Sequence, residues 1–408
     1  MSKIWIINQF ANTPDLPGHT RQFEVAKYLA NKGFEVTVFS SDFNLSKRKF
    51  CKLKKMQLSL KENISNVNFI WLRVIPYYRN NWKRVINLIS FSIHLFLRIL
   101  FEASKANLPN VILASSPQLP AAFVSYLLAS FFKIPFIFEV RDLWPQILID
   151  LGGKNKDNLI IKLLFFIEKI LYKRSNLVVV LSKGSEKYAQ AKGSINTIWL
   201  PNGPDLSKFK MSPLPEHKEG FTKERPFLII YAGTHGEANG LENIINTAKY
   251  LDNDPVKFML VGDGPEKRIL KKRALNLKNI EFKSTVPQSR IPELIAKADA
   301  VIHSLKKVKL FEYGVSPNKL YDAYAIGRPV ITTTPGIINE EVEINRLGVT
   351  SPPEDPKALA KAIKRLLQMP RSERIDMGNR ARKLAEEVYS RNKISESYEK
   401  IFNYYSKI

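Results

Sequence analysis

SPNKLYDAYAIGRPVI, residues 316–331, is the stretch around which this chain is organised. Ser316 is a favoured N-cap residue and Pro317 suits the first position of a helix, so a short helix is predicted to begin here. Gly327 and Pro329 should end that helix, and an apolar strand follows. The stretch therefore predicts a helix with free backbone N–H groups at its amino end, directly before a buried strand.

The amino end of this helix has the chemistry of an anion-binding site. The positive end of the helix dipole lies beside the ammonium group of Lys319, and the two together suit a phosphate or diphosphate. Asp322 follows on nearly the same face of the helix and can accept a hydrogen bond from a ribose or sugar hydroxyl. A nucleotide-sugar fits this pair. The alternative is an ordinary capped helix with Lys319 and Asp322 in solvent.

The same residues resemble the signature of the family-4 retaining glycosyltransferases, which have the GT-B fold. The likeness lies in three short runs within residues 317–330, Pro-Asn-Lys, Tyr-Asp-Ala and Ala-Ile-Gly-Arg-Pro-Val. Such enzymes usually carry two glutamates separated by seven residues. Asp322 stands at the second of these positions and Gly314 at the first, with Glu312 two residues too early. The Ser-Pro-x-Lys form is similar to that of enzymes acting on O-antigen and capsule sugars, including the N-acetyl-L-fucosamine transferase type.

The resemblance implies an α/β protein of the GT-B fold, with two Rossmann-like domains facing each other across a deep cleft. A length of 408 residues agrees, because about two domains are expected for it. Apolar strands alternate with helical patterns in the first half, which predicts a parallel sheet. The expected parts are an N-terminal acceptor-side domain at 1–203, a linker at 204–226, a C-terminal nucleotide-sugar-binding domain at 227–390, and a C-terminal helix at 391–408 that, by family analogy, crosses back to the first domain.

Composition describes a globular and strongly basic protein. Apolar residues make up 45% and charged residues 25%, which is typical of a folded chain. The single cysteine, Cys51, excludes an internal disulfide and fits a reducing compartment. The N-terminal residues lack the apolar length of a signal peptide and indicate a first strand. A net charge of +25 favours anionic partners such as nucleic acid, acidic lipid or phosphorylated substrates.

Two segments point towards a membrane. Residues 47–55 hold the densest cluster of lysine and arginine, which is either a solvated basic loop or a site that attracts anionic lipid. Residues 85–101 are apolar but contain His94 and Arg98, so they are marginal for spanning a hydrocarbon core of about 30 Å. Introduced by Asn-Asn-Trp-Lys-Arg at 80–84, this segment is either a core helix or a helix at the headgroup boundary. An anionic membrane surface is therefore an expected partner, and the expected location is cytoplasmic and peripheral, on the inner face of the cell membrane.

Candidate acceptor-side residues follow strands of the first half, where a parallel sheet places its ligands. The loop after the first strand carries Gly18, expected near the donor diphosphate, and His19, expected near the acceptor; a plain turn is the alternative. Glu139, Arg141 and Asp142 lie at the carboxyl end of another strand, and Arg-Asp-Leu-Trp-Pro resembles an acceptor-side motif of the same enzymes. We expect Asp142 to orient the acceptor. The alternative is a local ion pair with Asp142 as a helix cap.

Candidate donor-binding residues lie mainly in the second half. The glycine-rich turn at 232–241 allows the backbone to approach a phosphate, and it offers His235 where relatives often place Arg or Lys. The anion site should therefore depend more strongly on Lys319. Residues 285–287 stand where the family holds the nucleobase, with Arg290 nearby. The expected donor-binding residues are Gly18, Gly233, His235, Gly236, Gly262, Gly264, Val286, Arg290, Ser316 and Asn318.

The resemblance implies transfer of a sugar, with anomeric retention, from a UDP-sugar to a lipid-linked or free saccharide in O-antigen or capsule biosynthesis. The expected catalytic residues are Asp142, Lys319 and Asp322, with Lys319 stabilising the departing diphosphate without a metal ion. No metal or cofactor is expected, because Asp-Asn-Asp at 252–254 lies where a turn is predicted and His and Cys form no ligand-spaced cluster.

Two alternative functions remain at the level of sequence. One is a UDP-sugar epimerase of the GT-B fold, which would convert its donor without an acceptor. The other is a basic nucleic-acid-binding protein, as the net charge of +25 by itself allows. The alternating strands and the lack of an aromatic-basic repeat argue against nucleic acid as the partner.

Overall fold

The computed structural model describes residues 1–78, 82–105, 107–217 and 220–407. Asn80 and Asn81, part of the predicted entry to the apolar segment, lie outside the described residues. The chain divides into two compact units, one formed by Met1–Leu200 with Ile394–Ile408 and the other by Pro201–Lys393. Each unit is built on a mainly parallel sheet with helices between its strands, so the predicted α/β fold with two Rossmann-like domains is confirmed.

The first unit begins with strands and helices that alternate along the chain. Its strands are β1 (Lys3–Ile7), β2 (Glu35–Ser41), β3 (Phe43–Asn44), β4 (Lys49–Phe50), β5 (Ser59–Ile64), β6 (Val67–Leu72), β7 (Val111–Ser115), β8 (Phe136–Val140), β9 (Leu177–Val180) and β10 (Thr197–Trp199). Its helices are α1 (Arg21–Asn31), α2 (Trp82–Ser104), α3 (Leu119–Phe131), α4 (Gln146–Asp150), α5 (Leu159–Arg174) and α6 (Ser185–Ala191).

The main sheet of the first unit has the strand order β10-β9-β8-β7-β1-β2-β6-β5. Its strands are parallel except for β5, which runs antiparallel to β6. Every residue of β7 and β8 is buried, as expected for apolar strands covered on both faces. Because the chain order reverses between β1 and its neighbours β2 and β7, the carboxyl ends of these strands form the edge where an open α/β sheet places its ligands.

The hairpin of β5 and β6 is absent from the sequence-based prediction. Ile64 pairs with Val67, and the intervening Ser65 and Asn66 have φ of 52° and 65°. Positive φ at both central residues defines the type I′ turn that joins tightly twisted strands. The Ser-Asn pair between two alternating segments is the signal that would have revealed it.

The second unit repeats the strand–helix rhythm. Its strands are β11 (Phe227–Ala232), β12 (Val256–Val261), β13 (Ile280–Lys283), β14 (Ala300–Ser304), β15 (Val330–Thr333) and β16 (Gly348–Ser351), paired in parallel in the order β13-β12-β11-β14-β15-β16. Its helices are α7 (Leu241–Tyr250), α8 (Lys267–Arg273), α9 (Ile291–Ala296), α10 (Asn318–Ile326), α11 (Ile337–Ile344), α12 (Pro356–Gln368) and α13 (Arg371–Glu387). The described residues of the predicted linker, 204–217 and 220–226, contain no helix or strand and belong to this unit.

The last helix, α14 (Arg391–Tyr405), contributes to the core of the first unit. Ile394, Tyr398 and Phe402 are buried in the apolar cluster that also holds residues of β1 and β2. The hydroxyl of Tyr398 donates a hydrogen bond to Glu139 Oε2 at 2.5 Å, at the end of β8. The C-terminal residues from Ile394 are therefore an integral part of the first unit.

Helix α2 contains the apolar segment discussed above. It is long and apolar enough to cross a membrane by length and composition, although part of it is buried in the protein. Phe91, Leu95 and Ile99 are buried, whereas Phe96 and Leu97 are exposed. The helix is therefore both a core helix on one side and an exposed apolar helix on the other.

Candidate functional site

Helix α10 begins one residue later than the sequence predicted, at Asn318 and not at Pro317. Pro317 occupies the N-cap position and no side chain caps the helix, so the prediction of Ser316 as N-cap is wrong. Ser316 instead accepts two hydrogen bonds from Asn202, at Oγ from the backbone N–H (2.7 Å) and at the carbonyl from Nδ2 (2.8 Å). The predicted end is confirmed, because Gly327 adopts the left-handed conformation with φ 77° and ψ 42°.

Lys319 extends from the first turn of α10 to the glycine-rich turn after β11. Its ammonium donates to Tyr231 Oη at 3.0 Å and to Asn239 Oδ1 at 2.8 Å, and it lies 4.6 Å from the centre of the Tyr231 ring. Tyr231 and Asn239 both donate to the carbonyl of Thr234, at 2.7 and 3.1 Å. The two segments that sequence analysis assigned to the donor are therefore held together around one ammonium group.

Two glycines allow this close approach. A Cβ at Gly233 would lie 3.2 Å from the ammonium nitrogen of Lys319. Gly262, which follows β12, has φ +144°, and a Cβ there would lie 1.9 Å from the carbonyl oxygen of Gly233. Any side chain at Gly262 would therefore push the two turns apart.

The remaining predicted donor residues fall into two groups, one in the turns after β11 and β12 or at the start of α10, and one after β13. His235 N–H donates to the Asp263 carbonyl at 2.8 Å, which joins the turn containing Gly236 to the turn containing Gly264. Asn318, the first residue of α10, is exposed. In contrast, Val286 and Arg290 follow β13, and the exposed Arg290 pairs with Glu293 at 3.6 Å.

Two buried histidines face the environment of Lys319. The side chains of His235 and His303 are buried, and within the described part of the chain none of their ring nitrogens has a hydrogen-bond partner. Burial, with the nearby ammonium groups of Lys267 and Lys319, lowers the pKa of His235 to about 4. Burial and Lys319 also hold the pKa of His303 well below its usual value. Both rings are therefore neutral near pH 7, and each retains one donor and one acceptor.

Lys319 and Asp322 are both in surroundings that disfavour their own charge. Burial lowers the pKa of Lys319 to about 7. Burial raises the pKa of Asp322 to about 7, while the guanidinium of Arg391 acts in the opposite direction. An anion beside Lys319 would stabilise its ammonium form, and a hydroxyl donor beside Asp322 would stabilise its carboxylate. Perturbed pKa values of this kind make Lys319 and Asp322 candidates for a ligand site.

Glu139 in the first unit is the centre of a buried hydrogen-bond network, and its role on the acceptor side stays a prediction. Its buried carboxylate accepts from Arg21 Nε (3.4 Å), Gln22 Nε2 (3.0 Å), Ser115 Oγ (3.0 Å) and Tyr398 Oη (2.5 Å). Burial opposes the charge, but the guanidinium groups of Arg21 and Arg141 hold the pKa of Glu139 below its usual range. With these partners in place, the carboxylate is committed to joining α1, β7, β8 and α14.

The other acceptor-side candidates remain at the surface of the same sheet edge. Asp142 and His19 are exposed. The positive charge of nearby Arg141 lowers the pKa of His19. Gly18 has φ +136° and lies against the side chain of Asn12. Asp142 does not cap α4, because Pro145 holds that position.

Several residues of these clusters were missed by sequence reasoning. Tyr231 is a residue of β11 directly before the glycine-rich turn, and Asn239 lies near the end of that turn. The sequence analysis considered only the glycines and His235 there, and neither tyrosine nor asparagine by itself indicates a lysine partner. Arg21, Gln22 and Tyr398 contact Glu139 from distant parts of the chain. Among the described residues no group of three or more His, Cys, Asp or Glu could hold a metal ion. The expectation that no metal or cofactor takes part stays a prediction. Asp254 lies in a turn and pairs with Lys364 at 3.0 Å.

Comparison with known proteins finds a family match within the second unit. Residues 215–384 match the family model described as Glycosyl transferases group 1. The chain is 26% identical, over 322 residues, to the putative colanic acid biosynthesis glycosyl transferase WcaI of Escherichia coli (strain K12), with 73% of this chain and 75% of the relative covered.

Solved structures agree on the fold. Sucrose-phosphate synthase from Thermosynechococcus elongatus has a TM-score of 0.74 at 16% identity, with 99% of this chain and 98% of that chain covered. Anabaena HepE in complex with UDP and glucose has a TM-score of 0.68 at 16% identity, with 99% and 100% covered. At these identities the likeness concerns the fold alone, which is that of the GT-B glycosyltransferases.

Proposed function

Since residues 215–384 match the family model described as Glycosyl transferases group 1, we propose that this protein transfers a glycosyl group from a UDP-sugar, with retention of anomeric configuration, to a lipid-linked or free saccharide. The relative WcaI bears the name of a colanic acid biosynthesis enzyme, which supports a role in cell-surface polysaccharide synthesis. HepE, whose fold is similar, was solved with UDP and glucose, which supports UDP as the nucleotide. The Ser-Pro-x-Lys form resembles that of the N-acetyl-L-fucosamine transferase type. We therefore include in this proposal that the enzyme is of the family-4 type and that the transferred sugar is an N-acetylated amino sugar.

The observation that carries the proposal is the position of Lys319. Its ammonium lies at the amino end of α10 and is held by Tyr231 and Asn239 against a glycine-rich turn. Backbone N–H groups at a helix start and a positive charge together suit a diphosphate. Because burial lowers the pKa of Lys319 to about 7, part of the protein carries an uncharged lysine at neutral pH. An anionic ligand would favour the ammonium form, so Lys319 would take up a proton when the ligand binds.

The chemistry requires charge stabilisation more than a protein nucleophile. As the bond between the sugar and the diphosphate breaks, negative charge develops on the departing UDP, and the ammonium of Lys319 with the first N–H groups of α10 stabilises it. Asp322 accepts a hydrogen bond from a ribose hydroxyl. The departing phosphate oxygen takes the proton of the acceptor hydroxyl, so that the new bond forms on the face of the sugar from which UDP leaves. Asp142 orients the acceptor.

A donor screen tests the proposal. Purified protein is incubated with radiolabelled UDP- and GDP-sugars, with and without a lipid extract from a polysaccharide-producing bacterium, and both nucleotide release and labelled product are measured. We expect acceptor-dependent release of UDP, and NMR of the product should show the anomeric configuration of the donor. Conversion of the donor without any acceptor would assign epimerisation instead, and inertness towards every donor together with tight DNA binding would reject sugar transfer.

A further inference from the structure

Helix α2 buries a row of polar residues. Asn87 and Ser90 are buried on the side that faces the first unit. Asn87 accepts a hydrogen bond from Gln9 Nε2 and donates one to the carbonyl of Ile75, both at 2.7 Å. Ser90 Oγ accepts from the backbone N–H of Ile75 at 3.0 Å. Polar side chains thus hold α2 against the loop after β1 and the segment after β6.

The polar row continues along the helix. His94 Nδ1 contacts the carbonyl oxygen of Arg73. One turn later, Arg98 donates to the buried carboxylate of Glu102 at 2.5 Å. Arg98 also donates to Ser59 Oγ, at the start of β5, at 3.3 Å. Because contacts from Asn87 to Arg98 tie this side of α2 to the rest of the unit, the helix lies on the protein and does not leave it to span a bilayer.

The opposite side of α2 exposes apolar residues to solvent. Ile89, Ile93, Leu97 and Leu100 recur every three or four residues and are all exposed, with Ile93 at 54% and Leu97 at 56%. Trp82 is exposed at the amino end of the row. A surface helix of a soluble domain ordinarily exposes polar residues and keeps its apolar residues inward, whereas α2 has apolar residues on both sides. An exposed apolar row of this length indicates a surface that another phase or molecule covers.

Two neighbouring helices extend this row into a broad surface. Helix α3 packs against both α2 and α5. The residues of α3 and α5 that expose large apolar side chains are Leu127, Phe131, Leu159, Ile160, Leu163 and Phe166. Phe131 is 76% exposed and Phe166 61%. We call the exposed apolar residues of α2, α3 and α5 the three-helix surface.

The charges on these three helices favour an anionic occupant. Their acidic residues within the described ranges are Glu102 and Glu168, and both are buried. The exposed charged residues are basic, and they include Lys83 and Lys105 at the two ends of α2 and Lys169 on α5. Lysine around an apolar surface with tryptophan at its margin is the composition of a protein face that rests at the headgroup boundary of a bilayer. Anionic headgroups attract such lysines electrostatically.

We propose that the three-helix surface docks on an anionic lipid bilayer, with α2 lying in the plane of the headgroups. The inference concerns attachment of the first unit and is independent of which sugar the second unit binds. It gives the expected peripheral membrane location a defined surface, larger than the single segment recognised in the sequence.

Vesicle co-sedimentation of the full-length protein tests this directly. Wild-type protein should sediment with vesicles of phosphatidylglycerol and phosphatidylcholine, and far less with phosphatidylcholine alone. The triple variant Leu97→Ser, Phe131→Ser, Leu163→Ser should lower partitioning into anionic vesicles about 10-fold or more, because each residue would otherwise transfer apolar area out of water. These residues are exposed, so the variant should keep the wild-type unfolding temperature and circular dichroism.

A control replaces apolar residues elsewhere that are at least as exposed as those of the triple variant. Ile195, Leu275 and Ile344 are each about four-fifths exposed and lie outside α2, α3 and α5. The variant Ile195→Ser, Leu275→Ser, Ile344→Ser should partition like wild type. Loss of binding in this control to the same extent, or absence of wild-type binding to anionic vesicles, would overturn the proposal. A concentration-dependent dimer that the surface variant abolishes, without vesicle binding, would assign the surface to a second copy of the chain and equally overturn it.

The charge component has its own readout. Lys105→Gln combined with Lys169→Gln should weaken binding to anionic vesicles and leave the small partitioning into neutral vesicles unchanged. Added salt should weaken wild-type binding in the same direction, because it screens exposed charges. Binding to anionic vesicles that is indifferent to both changes would contradict an anionic bilayer as the occupant.

Discussion

The ammonium of Lys319 donates a hydrogen bond to Oδ1 of Asn239 at 2.8 Å and so joins two residues that lie 80 positions apart in the chain. Together with the bond to Tyr231 at 3.0 Å, this contact fixes the start of α10 against the glycine-rich turn after β11. A lysine side chain has about 2 kcal/mol of rotamer entropy to lose on ordering. Its partners therefore determine where the positive charge stands before a ligand arrives.

Tyr231→Phe should reduce activity by affecting Lys319 and not the ligand. The change removes one hydrogen bond to the ammonium but keeps the ring beneath it. A hydrogen bond to a charged group contributes about 1.5–3 kcal/mol, so we expect kcat to fall about 10-fold or more. Steady-state kinetics with the donor found in the screen measures this. Tyr250→Phe, at an exposed tyrosine of α7, is the matched control and should keep wild-type kcat. Equal kcat in wild type and Tyr231→Phe would show that the Tyr231 hydroxyl is not needed to hold Lys319 for the reaction.

The affinity for UDP should fall as the pH rises from 7 to 9. Burial lowers the pKa of Lys319 to about 7 in the free protein, and only the protonated form carries the charge that attracts the diphosphate. Above that pKa the protonated fraction decreases, so the dissociation constant should rise by about 10-fold per pH unit at most. Binding should take up a proton, which calorimetry in buffers of different ionisation enthalpy detects. Lys319→Arg should show a flatter profile, because a guanidinium stays charged throughout this range. A flat wild-type profile would contradict the prediction.

Asp322→Ala should weaken nucleoside and nucleotide binding to the same degree. The proposed partner of Asp322 is a ribose hydroxyl, which uridine and UDP share. Loss of one such hydrogen bond corresponds to about 0.5–1.5 kcal/mol, or up to about 10-fold in the dissociation constant. Calorimetry with both ligands measures the two ratios. Asp376→Ala, at an exposed aspartate of α13, should bind both ligands as wild type does. A loss confined to UDP would place Asp322 at the diphosphate instead.

Glu139→Gln should destabilise the fold. The change removes the negative charge that faces the guanidinium groups of Arg21 and Arg141. Removing one partner of a buried ion pair lowers the free energy of unfolding by about 3–5 kcal/mol. Because the folded-state pKa of Glu139 is lowered, its contribution is complete above the ordinary pKa of about 4.3 and is lost as the pH falls through the folded-state value. The difference in unfolding free energy between variant and wild type should therefore be large at pH 7 and shrink below pH 4.

Denaturant unfolding at these pH values measures the difference. Glu340→Gln, at an exposed glutamate of α11, serves as the control and should change the free energy of unfolding by no more than about 0.5 kcal/mol. An equally small effect of Glu139→Gln at pH 7 would show that the carboxylate is not needed for the fold.

Local patterns were sufficient to predict most of the elements. Short apolar runs such as β7 and β8 predict strands in the middle of a parallel sheet, where both faces are buried. A glycine after an apolar helical pattern predicts the end of a helix, which is where Gly327 lies in α10. Ser316 was misplaced because its N-cap chemistry is real but its hydroxyl is taken by Asn202, a partner 114 residues away. Local propensity cannot include such a contact.

Contacts over long sequence distances account for the parts of the site that were missed. Glu139 looked available at a strand end, but Tyr398, 259 residues later, completes its set of donors. Asn239 and Tyr231 are identified as partners of Lys319 only in the folded protein, because α10 follows them by some 80 residues in the chain. The sequence also left open which side of α2 faces the protein, because amphipathicity gives two faces without saying which is inside. Buried hydrogen bonds from Gln9 and to Ile75 decide that question.

The central claim is that Lys319 binds the diphosphate of a UDP-sugar, and calorimetry with UDP and uridine tests it most directly. Lys319→Ala should raise the dissociation constant of UDP by about 10-fold or more and lower kcat by roughly 100-fold, the scale seen when one transition-state donor is removed. Uridine affinity should stay unchanged, and Lys278→Ala, at an exposed lysine, should resemble wild type in every respect. Unchanged UDP affinity in Lys319→Ala, or an equal loss for uridine, would contradict the claim.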